Sequence, residues 1–362
     1  MKQKQGKTTS TLYAFILAGG RGERFWPRSR RHLPKQLLNI ADSKTMVEKT
    51  VNRIKSLTTK ERIFIVAGED TRNGLLNIKL DIPFNNYFFE PQGRNTAPAI
   101  GLGAFTLFAF DPESVMIVLP ADHYIKDRNA FYRCVKKAVS IAMEGYLVTF
   151  GIVPSRSETG YGYIEPGEQI RDGVCVVKKF KEKPGQKKAN EYTKKRFLWN
   201  SGIFVWKTKN IIEEFKRFQP KFAKRMEQYV ALKRKCEKEK MLERIYDKTE
   251  SISIDYAIME KAADVAVIRA SFGWDDVGTW SALERVLRRD ENGNILVGDV
   301  VSVDTRNSIV VSNDGVVGTI GISNLVVVHT ADATLILPKA RAQEVKEIVR
   351  QLSTKQRLEK YT

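Results

Sequence analysis

Cysteine is scarce in this 362-residue chain: Cys134, Cys175 and Cys236 are the whole complement. They are odd in number and far apart, so they offer no disulfide framework and no zinc spacing, and a reducing cytoplasm is the expected compartment. Long apolar runs are missing too. The longest nearly apolar stretch, Pro98 to Phe110, is too short to span a bilayer, so no membrane partner is expected. Residues 1–11 are polar and basic without an apolar centre, which argues against a secretory signal and reads as a frayed tail. Acidic residues are in deficit: 42 Asp and Glu face 61 Lys and Arg, a formal charge of +19. Such an excess attracts polyanions. It is tied to no nucleic-acid recognition motif, however. Its dense tracts lie over 178–196 and 207–248, and the second reads as solvated helix faces. No specific nucleic-acid partner is expected. The excess can still draw an anionic substrate inward.

What the chain does have is concentrated in one stretch, YAFILAGGRGERFWPRSRRHLPKQLL, from Tyr13 to Leu38. The apolar run Tyr13 to Ala18 predicts a buried strand. Gly19, Gly20 and Gly22 then free the backbone to turn and to approach a ligand. Arg21, Arg24, Arg28, Arg30, Arg31 and Lys35 follow closely. Bare N–H groups with fixed cations suit a triphosphate. This is no dinucleotide fingerprint, because the glycines run G-G-x-G and lead to Pro27 and Pro34 rather than into a helix. Nor is it a Walker A loop: Gly6-Lys7-Thr8 has Met1 where the first glycine belongs, and no strand precedes it.

Downstream, Thr45 and Glu48 form a candidate capping box, with Met46, Val47, Thr50, Val51 and Ile54 on one helix face. Strands are predicted over 62–67, 86–90, 115–119 and 146–152, and helices over 96–110 and 129–144. Strands alternating with helices imply an α/β fold, a mixed, mostly parallel sheet with helices on both faces. In such sheets ligands sit beyond the carboxyl ends of strands. Four polar or glycine-rich segments lie there: the glycine-arginine loop, Pro91 to Pro98, Pro120 to His123, and Glu158 to Tyr163. Asp122, directly after a buried strand, suits Mg²⁺ or an N-cap. His123 is read as structural or supporting.

The second half offers further polar groups. Gly160 and Gly162 alternate with tyrosines, Glu182 adjoins Lys183, and Asn200 opens a turn before an apolar strand. Asp276 is a second candidate metal carboxylate. Ser253 to Glu260 reads as a short helix whose Ile254, Ala257 and Ile258 are ordinary core. From about Asp290 short Val/Ile runs with regular turns indicate a small all-β unit. A closing helix over 340–352 is expected, with Ala342, Val345, Ile348 and Val349 on one face. The predicted organisation is a tail at 1–11, a large α/β domain at 12–289 and a β unit with a closing helix at 290–362.

Taken together, LAGGRGERFWPRSR, PKQLL, EPQGRNTAPAI, LPADH, TGYGYI, FKEKP, WNSGIF and WDDVGTW resemble the sugar-1-phosphate nucleotidylyltransferases. RNTAPAI with LPADH is the mark of their mannose-1-phosphate guanylyltransferase branch. The resemblance is dense over 13–285 and looser beyond. It implies a Rossmann-like domain followed by a small left-handed β-helix-like domain. It also implies the reaction of GTP with mannose 1-phosphate to give GDP-mannose and pyrophosphate. Longer relatives add a phosphomannose isomerase domain, and that activity is expected to be missing here. The resemblance assigns Gly19, Gly20, Arg21 and Gly22 to the triphosphate, and Arg24 and Lys35 to the leaving pyrophosphate. It assigns Asp122 and Asp276 to Mg²⁺, and Lys183 to the sugar phosphate. Gly162, Glu182 and Asn200 would hold sugar hydroxyls, and Arg94, Asn95 and Thr96 would read guanine and ribose. A homodimer through the C-terminal β unit is also expected. The alternatives are a glucose-1-phosphate thymidylyltransferase, a non-catalytic regulatory relative and, on charge alone, a nucleic-acid binder.

Overall fold

The computed structural model describes residues 11–40 and 43–362; the expected tail, apart from Thr11, lies outside them. Seventeen strands are present among the described residues. In the first half they are β1 (Leu12–Ala18), β2 (Ile63–Gly68), β3 (Tyr87–Glu90), β4 (Val115–Pro120), β5 (Tyr124–Ile125) and β6 (Leu147–Ile152). There follow β7 (Tyr163–Arg171), β8 (Val174–Lys181), β9 (Leu198–Lys207), β10 (Val265–Ala270) and β11 (Trp274–Asp275). Nine of these form one sheet in the order β3-β2-β1-β4-β9-β6-β10-β8-β7. β1, β2, β3 and β4 pair in parallel, as do β6 and β10, while β9 and β8 run against their neighbours. The sheet is therefore mixed and mostly parallel, as expected.

Side-chain alternation along β1 explains the layering. Ala14, Ile16 and Ala18 join one core with α1 (Met46–Ile54), α2 (Arg72–Asn77), α4 (Arg128–Met143) and α5 (Gln186–Lys194). Phe15 joins the other, with α3 (Thr96–Phe108), α6 (Thr208–Phe218), α7 (Pro220–Ala231) and α8 (Lys235–Asp247). The predicted capping box closes α1: Glu48 N–H donates to Thr45 Oγ1 at 3.3 Å, and Thr45 N–H donates to Glu48 Oε2 at 2.7 Å. α3 is apolar all round because it is buried all round. Residues 255–259 form a π-helical turn rather than a plain helix, although Ile254, Ala257 and Ile258 are core as expected.

After the short α9 (Leu283–Val286), the C-terminal unit winds through β12 (Ile295–Val297), β13 (Val300–Val303), β14 (Ile309–Ser312), β15 (Val317–Ile320), β16 (Leu325–Thr330) and β17 (Ala333–Pro338). β12, β14 and β16 stack in parallel, as do β13 and β15, and β17 closes the stack antiparallel to β16. This is a small β-helix-like unit. The expected closing helix is shorter than its sequence pattern suggests. Residues 339–344 are 3-10 helical, and α10 spans Val345–Ser353. Ala342 and Val345 are buried, but Ile348 is exposed, so the predicted apolar face is only partly used.

The C-terminal unit shares one core with the glycine-arginine loop. Phe25, Trp26 and Leu38 pack with Trp280, Ile309, Val328 and Val345. Trp26 Nε1 donates to the Tyr361 carbonyl at 2.8 Å, Trp280 Nε1 donates to the Trp26 carbonyl at 3.0 Å, and Arg30 pairs with Asp332 at 2.9 Å. The loop is thus gripped from both sides, by the large sheet and by the small β unit.

Candidate active site

Three loops leave the carboxyl edge of the sheet after β1, β3 and β4 and meet there. In the first, Gly22 has φ +64°, and a Cβ on it would lie 2.4 Å from Lys35 Cβ and 2.8 Å from Lys35 N. Only glycine permits this close approach. It folds the loop back so that Lys35, buried at 4% exposure, points inward. Lys35 Nζ donates to Asp122 Oδ2 at 2.8 Å and to the Asp276 carbonyl at 2.5 Å. The two residues, 154 positions apart in the numbering, therefore meet at one ammonium group, Asp122 through its carboxylate and Asp276 through its backbone carbonyl.

Their environments differ. Burial alone would raise the Asp122 carboxyl, but the Lys35 ammonium holds it below the usual carboxylate range. At Asp276 burial wins over Lys35, and its carboxyl is raised. Tyr161 O–H donates to Asp276 Oδ1 at 2.6 Å, and Gly278 N–H donates to the same oxygen at 3.1 Å. His123 sits beside Asp122, neutral because burial lowers it to about 4, and its Nδ1 accepts from Trp274 Nε1 at 3.1 Å. A ring nitrogen occupied in this way supports Trp274 and the corner around it.

On one side of this corner lies a cavity of about 250 Å³ lined by Gly19, Gly20, Glu90, Arg94, Asn95, Thr96 and Asp122. No atom lies within 4 Å of a Cβ built on Gly20, so its backbone is open to a ligand. The three predicted nucleoside readers line the cavity with their side chains already engaged. Arg94 Nε donates to the Tyr246 carbonyl at 3.0 Å, Asn95 Oδ1 accepts from Thr96 N–H at 2.8 Å, and Thr96 Oγ1 accepts from Ile254 N–H at 2.9 Å. Glu90 is not distinguished in the sequence from the strand it ends. It is buried, and burial raises its carboxyl to about 7 against the smaller pull of the Tyr246 hydroxyl, which donates to Oε1 at 2.9 Å.

On the other side lie the predicted sugar residues. Asn200 N–H donates to the Gly162 carbonyl at 2.8 Å. A Cβ on Gly162 would come within 2.7 Å of Glu182 Oε2, which places the Glu182 carboxylate directly beside the Gly162 backbone. Asn200 Nδ2 donates to Asp255 Oδ1 at 2.7 Å, which brings in a second residue that its sequence context conceals. Lys183 pairs with Glu182 at 2.9 Å and is mostly exposed. Arg21 and Arg24 are exposed as well and line a separate opening of about 300 Å³ with Gly22, Gly278 and Lys346. The structure thus brings Lys35, Asp122 and Asp276 into one corner and leaves Arg21, Arg24 and Lys183 exposed outside it.

Comparisons with known proteins identify the chain's relatives. Residues 13–293 match the family profile described as nucleotidyl transferase, and residues 298–352 match that of the mannose-phosphate isomerase/GMP-like beta-helix domain. A mannose-1-phosphate guanylyltransferase of Escherichia coli is 38% identical over 97% of this chain and 78% of its own length. The RfbM enzyme of Salmonella typhimurium, of the same description, is 39% identical over 95% of this chain and 73% of its own. A crystal structure named mannose-1-phosphate geranyltransferase, from Thermus thermophilus, superposes with a TM-score of 0.88 at 37% identity, covering 95% of this chain and 99% of that one. The chain therefore belongs to the nucleotidyl transferase family, among the mannose-1-phosphate guanylyltransferases.

Proposed function

We propose that the protein joins GTP and mannose 1-phosphate to give GDP-mannose and pyrophosphate. The observation that carries this reading is the corner of Lys35, Asp122 and Asp276, which borders a nucleoside-sized cavity through Asp122 and is linked through Tyr161 and the neighbouring Gly162 to Asn200 and its partner Asp255. The sugar phosphate is already an anion, so it can attack the α-phosphorus in line without a general base. Positioning and charge neutralisation then do the catalysis. Lys35, which the resemblance assigns to the leaving pyrophosphate, sits instead between Asp122 and the Asp276 carbonyl, where it neutralises charge at the attacked phosphate. Arg21 and Arg24 draw the pyrophosphate toward the rim, backbone N–H groups of Gly19, Gly20 and Gly22 cradle the triphosphate, and Lys183 meets the incoming sugar phosphate. Gly162, Glu182 and Asn200 hold sugar hydroxyls.

The acids fit a divalent cation. The Asp122 carboxylate bonds the Lys35 ammonium, the Asp276 carboxylate lies close enough to feel both Lys35 and Asp122, and no cluster of three potential ligands occurs among the described residues. Mg²⁺ is held in this manner, by one or two carboxylates with substrate phosphates and water. When bound it supplies positive charge to the α-phosphate. Glu90 supports the choice of base. Guanine presents N1–H and its 2-amino group side by side, and a carboxylate accepts from both, whereas adenine presents an acceptor at N1. Arg94, Asn95 and Thr96 frame that cavity and, with their side chains engaged elsewhere, meet the nucleoside mainly through their peptide groups.

The family matches at 13–293 and 298–352 support a division into a nucleotidyltransferase domain and a small β domain near residue 290. No helix among the described residues is long and apolar enough to cross a membrane. Free cysteines and nucleotide substrates suit the cytoplasm. Exposed Val301, Val303, Val316 and Ile320 on and beside β13 and β15 support a homodimer through the β domain. Val303→Asp with Ile320→Lys should then yield a monomer by sedimentation, and an unchanged mass would exclude that face. The main test is pyrophosphate release over a matrix of nucleotides and sugar phosphates. GTP with mannose 1-phosphate should be fastest, and a preference for dTTP with glucose 1-phosphate would overturn the reading.

A further inference from the structure

Asn200 has little freedom. Its Oδ1 accepts from the Thr149 hydroxyl at 3.1 Å and from Gly202 N–H at 3.3 Å, and its Nδ2 donates to Asp255 Oδ1 at 2.7 Å. An amide nitrogen carries two hydrogens, so one N–H remains to donate. Asp255 begins the π-helical turn 255–259, a rare conformation that gathers at functional sites. It is half-buried, and burial, with the nearby Glu182 charge adding to it, raises its carboxyl to about 6. Lys183, which pairs with Glu182, lowers it only weakly. A carboxylate kept at such cost beside a second one is poorly explained by stability. The same turn is tied to the nucleoside loop: Ile254 N–H donates to Thr96 Oγ1 at 2.9 Å, and Ala97 N–H donates to the Ile252 carbonyl at 3.1 Å.

We propose that Asp255 is a sugar-binding residue: its carboxylate accepts from one ring hydroxyl of the hexose phosphate and fixes Asn200 so that the free amide N–H donates to the adjacent hydroxyl. This rests on the sugar-phosphate reading above and adds the residue that distinguishes hydroxyl orientation. Adjacent hydroxyls can offer one O–H donor and one oxygen acceptor, which a carboxylate and an N–H held side by side complement. Inverting one hydroxyl breaks one bond of the pair and leaves a buried polar group unmatched, and discrimination is built from such unmatched groups.

The test is steady-state kinetics of Asp255→Asn, which keeps the side chain's shape and an oxygen for Asn200 but loses the anionic acceptor. KM for mannose 1-phosphate should rise about 10- to 100-fold, the worth of a hydrogen bond to a charged group. KM for GTP should stay unchanged, and the preference for mannose over glucose 1-phosphate should shrink. An unchanged sugar KM would overturn the proposal. So would an equal rise in both KM values, which would make Asp255 a structural prop acting through Thr96. A second measurement needs no variant: mannose 1-phosphate analogues, each with one ring hydroxyl replaced by hydrogen, tested as substrates of the unaltered enzyme. One analogue should lose the same factor, and uniform KM values across the series would also refute the proposal. If the unaltered enzyme turned over no nucleotide with any sugar phosphate, the underlying reaction would be at fault instead.

Discussion

Replacing Glu90 by glutamine tests the nucleoside cavity through stability and selectivity together. In the folded protein the Glu90 carboxyl keeps its proton up to about 7, because burial outweighs the Tyr246 hydrogen bond; its ordinary value is 4.5. Between those values the folded state binds more protons than the unfolded state, so stability falls as pH rises. A rise from 4.5 to about 7, at 1.36 kcal/mol per unit, amounts to about 3 kcal/mol lost from below pH 4.5 to above pH 7. Glutamine has no such proton to lose. Urea unfolding of Glu90→Gln and the unaltered protein should therefore show the variant gaining about 3 kcal/mol relative to the parent between pH 4 and pH 8. The same change should weaken the preference for GTP over ATP by about 10- to 100-fold, because a charged acceptor for guanine is lost. A stability difference that does not vary with pH would refute the account of Glu90 as a carboxyl raised by burial. Unchanged nucleotide selectivity would remove it from base reading.

Other expectations follow from the same corner. Asp122→Asn and Arg24→Ala should each lower kcat about 10²- to 10³-fold with the fold intact by circular dichroism; near-normal turnover would remove that residue from the mechanism. Gly22→Ala should cost about 1–3 kcal/mol, because its Cβ would meet Lys35 in a backbone conformation that disfavours side chains. Wild-type melting behaviour in that variant would contradict the packing described here. Chelation of divalent ions should abolish pyrophosphate release, and added Mg²⁺ should restore it; full activity in excess chelator would exclude the carboxylate pair as a metal seat.

Several features are legible because their signals are local. The capping box at Thr45 and Glu48 needs only a four-residue pattern, and it is present. The apolar runs that form β1, β2 and β4 are buried on both faces, so composition alone marks them. Asp122 is legible from its place just after a buried strand. Glu90 and Asp255 carry no comparable signal. Glu90 ends an aromatic strand, and Asp255 opens a segment whose apolar residues are core, so each becomes notable only when other elements close around it. The closing helix falls short of its expected length because the apolar spacing of residues 340–352 continues through a 3-10 turn that local spacing does not reveal.

Residue pattern by itself determined β1, β2, β3, β4, β6 and the apolar part of β9, and the loops that follow them, since each depends on neighbours a few positions apart, whereas β7, β8 and β10 carry no such local signal and appear only in the folded sheet. Tertiary structure alone decided that Asp122 and Asp276 meet at Lys35, that Asp255 orients Asn200, and that the C-terminal unit grips the glycine-arginine loop. The bond from Trp26 to Tyr361 spans 335 positions. Contacts at such separations depend on how layers pack, and packing is settled by the whole core at once.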